Sequence, residues 1–73
     1  MIKVHDLCDT CVDGTSVKLS FYDVDSRDFI VDVIFHDAKR GHSALGVAFD
    51  YATIESIYVS ADIVCCECYV LNA

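Results

Sequence analysis

The chain has no proline and only three glycines. Little in it interrupts regular structure, which suits a compact domain of helices and strands and argues against a linker. No apolar run approaches the ~18 residues of a membrane-spanning helix. Residues 1–13 lack an apolar core long enough for a secretory signal, so neither a span nor a leader is expected. Positive charge is scarce: three Lys and two Arg stand against ten Asp and two Glu, giving −7. Such a chain repels a phosphate backbone, and direct binding of DNA or RNA is not expected. The three glycines form no phosphate-binding loop.

Hydrophobicity is plentiful. Apolar residues make up 55% of the seventy-three, too many for a disordered chain even at this charge. Residues 1–73 read as one small domain. A chain of this length buries only about 60% of its unfolded surface, so its stability margin is thin and it folds alone or as a small homo-oligomer. With no secretory signal the expected compartment is the cytoplasm, where the five cysteines are thiols rather than disulfides.

The pattern is clearest over residues 16–36, SVKLSFYDVDSRDFIVDVIFH. Val17, Leu19 and Phe21 alternate with Ser16, Lys18, Ser20 and Tyr22. After a turn rich in Asp and Ser, Phe29, Val31, Val33 and Phe35 alternate with Asp28, Ile30, Asp32, Ile34 and His36. This predicts a β-hairpin with the first set of each strand in the core. Residues 5–12 place Leu7, Cys8 and Cys11 at helical spacing, with Gly14 as the helix C′ residue. The loop after His36 carries Lys39 and Arg40. Residues 43–51 fit either a strand or a helical turn, and Ala44, Ala48 and Ala52 favour the turn. Residues 53–60 form a strand whose Ile54, Ile57 and Val59 share the core face only if a bulge falls near Glu55-Ser56. A tight turn at Ala61-Asp62 leads to a last strand over residues 63–71. Val64, Cys66, Cys68 and Val70 make its apolar face, with Cys65, Glu67 and Tyr69 opposite. The sum is an α+β fold: an antiparallel sheet of about four strands built from two hairpins, with a short N-terminal helix on one face.

Three constellations invite chemistry. Cys8 and Cys11, with Cys66 and Cys68, could supply the four thiolates of a structural zinc site; the plainer role is small core hydrophobes, which Cys fills well. Asp23, Asp25 and Asp28 suggest a calcium loop, but Asp28 takes the place that requires Gly and Ile34 the place that requires Glu, so a solvated turn is expected. His36, His42 and Cys65 could form a nucleophilic pair, yet nothing in the sequence brings them together. No catalytic residue and no cofactor are therefore assigned, with zinc as the alternative. The outward sheet face carries Tyr22, Ile30, Ile34, Tyr58 and Tyr69 among Asp28, Asp32 and Glu67. Apolar side chains ringed by carboxylates and left uncovered mark a contact surface.

The run Val4, Asp6, Leu7, then Asp13-Gly14, Val17, Tyr22-Asp23 and Asp25-Ser26, and later Ile54-Glu55-Ser56-Ile57, resembles short acidic proteins of Firmicutes phages and mobile elements. The chain departs from them in carrying Cys where they carry aliphatic residues and in a longer loop after His36. The resemblance implies a context, a small accessory protein in a bacterial cytoplasm, and no chemistry. Acidic phage proteins of this size include inhibitors of host defence, anti-CRISPR proteins among them. The expected function is thus a non-enzymatic protein-binding module that imitates nucleic acid and blocks a basic site, for instance on a CRISPR effector. Asp23, Asp25, Asp28, Asp32 and Glu67 would meet Lys or Arg of the partner, with Tyr22, Ile30, Tyr58 and Tyr69 as anchors. Self-association to a homodimer would use the same face.

Overall fold

The computed structural model describes residues 2–71. Helix α1 (Val4–Thr10) is followed by strands β1 (Val17–Asp23) and β2 (Phe29–Phe35). Two short helices, α2 (Ala38–Gly41) and α3 (Val47–Asp50), flank a 3-10 turn at His42–Ala44, and strands β3 (Thr53–Ser60) and β4 (Ile63–Val70) close the chain. Both hairpins form, but the sheet they build is mixed. Its order is β2-β1-β4-β3, and the central pair, β1 with β4, runs parallel. The antiparallel sheet expected from the sequence is corrected on this point. Alternation specifies which face a side chain takes and is silent on the direction of the neighbouring strand.

The register stacks the inner face in three rungs. Phe35, Val17, Val64 and Val59 form the first; Val33, Leu19, Cys66 and Ile57 the second; Val31, Phe21, Cys68 and Ile54 the third. The two central strands supply the fully buried Val17, Leu19, Phe21 and Cys68. The helices lie on this face. Val4 and Cys8, one turn apart on α1, enter the core, and the Phe49 ring meets Phe21 edge-on at 4.8 Å. Coverage is partial: Ile57, Val59 and Val31, on the two outer strands, stay exposed.

Two bulges set which residues share a face. On β3, Ile54 pairs with Cys68 and Ser56 with Glu67, so Glu55 is the extra residue, in agreement with the break in alternation. On β2, Phe21 pairs with Val31 but Tyr22 with Phe29, so Ile30 is extra. Phe29 therefore leaves the core face on which strict alternation put it and joins Tyr22. The sequence hides this because Phe29 and Ile30 are both apolar and either could continue the pattern. Helix α1 also ends sooner than expected, at Thr10. Cys11 is its C-cap, while Gly14 adopts φ +83° in the turn that follows. The stretch after His36 is helical at Ala38–Gly41, where a loop was expected; its helical turn comes from α3, with Gly46 as N-cap. Among the described residues no helix is long and apolar enough to cross a membrane.

Candidate functional site

Among the described residues no helix packs on the outer face of the sheet, which is also arranged in rungs. Ile34, Lys18, Cys65 and Tyr58 make one; Asp32, Ser20, Glu67 and Ser56 the next; Phe29, Tyr22, Tyr69 and Thr53 the last. A polar, acidic rung thus lies between two that carry the large apolar groups. The last rung is tightly built. The Tyr22 ring stacks on Tyr69 at 5.4 Å and meets Phe29 edge-on at 5.7 Å. Arg27, from the β1–β2 turn at φ 66°, lays its guanidinium 4.1 Å from the Tyr69 ring centroid and reaches Glu55 on β3 at 3.3 Å. This cation–π contact and ion pair roof over Tyr69, which is only 9% exposed.

Most of the residues singled out from the sequence are therefore neighbours, with differing roles. Phe29 at 57%, Ile30, Ile34 and Tyr58 are exposed, whereas Tyr69 and Tyr22 form the floor beneath Arg27 and Phe29. Asp32 and Glu67 sit in the acidic rung, and Lys18 lies 3.8 Å from Asp32. Asp23, Asp25 and Asp28 stay in the turn. There Asp23 accepts hydrogen bonds from the Asp25 backbone N–H and the Ser26 hydroxyl, the geometry of a self-supporting Asx turn. On or beside this face six carboxylates (Asp23, Asp25, Asp28, Asp32, Glu55 and Glu67) stand against three cations, Lys18, Arg27 and Lys3, whose ammonium reaches the Thr53 hydroxyl at the face's edge. Sequence reasoning missed Phe29 and Arg27. The first was hidden by the bulge, the second by its turn position.

The cysteines divide between the two faces. Cys65 is buried on the outer face between Lys18 and Tyr58, its thiol 3.7 Å from the Ile63 carbonyl. Cys8, Cys66 and Cys68 belong to the core with Cys11 packed against them. Burial pushes the Cys8 and Cys68 thiols up to about 12 and Cys66 to about 11, and it raises Cys11 too, against the pull of Lys39. These are protonated thiols in apolar surroundings, the opposite of the electropositive setting that makes a reactive thiolate.

A second cluster lies in the helical layer. The Asp50 carboxylate, at the end of α3, accepts from the Nδ1 of His5 at 3.0 Å and from the Nδ1 of His42 at 2.9 Å, one imidazole on each oxygen. An ionised carboxylate only accepts, so with Asp50 ionised each ring meets it through an Nδ1–H. His42 is 5% exposed and Asp50 9%. The two rings meet edge-on at 5.1 Å, and Tyr51 stacks on His5 at 5.0 Å. Asp9, one turn beyond His5 on α1, places Oδ1 3.9 Å from the Nε2 of His42. The hydrogen bond to Asp50 raises the His5 pKa; desolvation opposes it, and the charges of Asp50, Asp9 and Asp6 add to it. Among the described residues His5, His42 and Asp50 are the only set of three or more His, Cys, Asp or Glu whose donor atoms all lie within 4.8 Å of one another. The four cysteines weighed for zinc do not form such a set. The one local signal in the sequence was His5 and Asp9 at i, i+4; His42 and Asp50 join them only through the fold.

A shallow cleft of about 420 Å³ opens between α3 and the end of β4, lined by Lys3, Val47, Tyr51, Thr53, Tyr69 and Leu71 among others. Its one charged group, Lys3, is bonded to the Thr53 hydroxyl at 3.0 Å. Comparison of the chain with protein-family models, curated proteins and solved structures gave no match.

Proposed function

We propose that the protein is a non-enzymatic binding module whose outer sheet face docks on a basic surface of another protein. The observation that carries this reading is a sheet face that no helix covers among the described residues. It presents Phe29, Ile34 and Tyr58 around the acidic rung of Asp32 and Glu67, with the Asp23–Asp28 turn at its rim. Lys18 and Arg27 are each already within ion-pair distance of a carboxylate. The surplus negative charge is left for a partner. Long-range attraction would speed encounter and weaken with salt, while the apolar groups would supply contact area. A surface that normally holds a phosphate backbone is the basic partner of matching chemistry. The resemblance to phage proteins supports reading such a surface as one on a nucleic-acid-handling defence complex, such as a CRISPR effector, in a bacterial cytoplasm.

The test is affinity capture from a bacterial lysate at low salt with three proteins: the wild type, an Asp28→Lys/Asp32→Lys variant and a Phe29→Ser variant. A stoichiometric partner held by the wild type, released by salt and lost with both variants supports the reading. A partner held equally by the charge-reversal variant refutes the electrostatic mechanism. A homodimer abolished by Phe29→Ser reassigns the face to self-association.

A further inference from the structure

We infer that His5, His42 and Asp50 form a binding site for a first-row divalent cation of the zinc class, independent of the sheet face and of the cysteines. The donor set is two imidazoles and a carboxylate, the combination of three-ligand zinc sites that keep a fourth position open. The spacing is close to that of such a site. Donors around a tetrahedral zinc ion at about 2.0–2.1 Å lie roughly 3.3 Å apart, and the Asp50 oxygens lie 3.0 and 2.9 Å from the two Nδ1 atoms. One donor atom from each of the three residues already lies within 4.8 Å of the others; an ion would draw them together through side-chain movement, with one Asp50 oxygen as the shared ligand.

Three further features point the same way. First, burial of His42 and Asp50 fixes two ligands in a site from which water is largely excluded, while His5 is partly exposed and leaves a route in. Second, binding at Nδ1 moves each ring's remaining proton to Nε2. For His42 that nitrogen faces the Asp9 carboxylate at 3.9 Å. A carboxylate behind a ligating imidazole orients the ring and strengthens its donation. Third, Asp50, Asp9 and Asp6 all act electrostatically on His5, so the site sits in a negative field that draws a cation in. The ligands come from α1, the 3-10 turn and α3. A bound ion would tie the helical layer together as a structural clip.

The experiment is titration of the reduced, metal-free protein with Zn²⁺ and with Co²⁺, followed by calorimetry, visible absorption and thermal unfolding. The expected result is one ion per chain, Co²⁺ d–d bands without a thiolate charge-transfer band, and a rise in Tm that grows with free metal. His5→Gln keeps a hydrogen-bonding group for Asp50 and, being partly exposed, should leave the fold intact by circular dichroism. It should weaken Zn²⁺ binding at least ten-fold. Asp9→Asn should weaken it less, by a few-fold. A folded wild type that takes up no Zn²⁺ at sub-millimolar free metal overturns the inference. So does binding unchanged by His5→Gln, or a Co²⁺ spectrum with thiolate charge transfer, which would move the site to the cysteines.

Discussion

Alkaline pH should unfold this protein through its core thiols. Cys8, Cys66 and Cys68 are fully or almost fully buried, and their pKa values rise from 9.0 to about 12, 11 and 12 because burial penalises the thiolate. Below pH 9 a thiol is protonated in both states and the shift has no effect. Above it, the unfolded chain releases protons that the native chain retains, so stability falls as pH rises. At about pH 10 each of the three thiols costs about 1.4 kcal/mol, and together about 4 kcal/mol. That is most of the ~5 kcal/mol margin of a small domain. Urea unfolding under reducing conditions, followed by circular dichroism at about pH 8 and pH 10, measures it. The midpoint should drop sharply while the slope m stays constant. Tyrosine and lysine also titrate in this range, so the decisive comparison is Cys68→Ala. This variant starts less stable but should lose about one third less between the two pH values. A loss equal to that of the wild type, or a wild type whose midpoint barely moves, would refute the reasoning.

Gly41 ends α2 against Phe35, and a Cβ there would lie 2.6 Å from Phe35 Cδ1. Gly41→Ala should therefore lower stability by about 1–3 kcal/mol through overpacking, despite the roughly 1 kcal/mol helix-propensity gain, as read by urea midpoint. The β3–β4 turn holds Ala61 at φ 50° and Asp62 at φ 64°, the left-handed pair that Asn-Gly satisfies best. Ala61→Asn with Asp62→Gly should raise stability by about 1 kcal/mol, and an unchanged Tm would count against that turn geometry.

Both hairpins, the Glu55 bulge and the faces of Cys65, Cys66 and Cys68 were legible in the sequence because each is written in neighbouring residues. Alternation over residues 17–22 and 63–70, with turn-forming residues between strands, is sufficient for them. What escaped is written between distant positions. The parallel pairing of β1 with β4 leaves no local trace. The Ile30 bulge slides between two apolar residues, so Phe29 was put on the wrong face. The His5–Asp50–His42 cluster joins residues from three elements, and no spacing rule links position 5 to position 50. Of the sheet surface, the central strands and the acidic rung were legible, while the Arg27 roof over Tyr69 was not, because a turn residue in a left-handed conformation has no pattern that aims it.

The mixed sheet also governs how the chain can assemble. Each hairpin closes across a short turn, whereas joining β1 to β4 spans about forty residues and costs roughly 2 kcal/mol more loop entropy than closing a hairpin. The most buried rungs lie on that late-made seam. Until it closes, β1 and β4 are each an unpaired edge of their own hairpin, and neither half has a core of its own. Folding should thus be slow for so short a chain, with the two halves meeting as separate ribbons. Any cut in the stretch between β2 and β3 would leave two fragments that must find one another to fold at all.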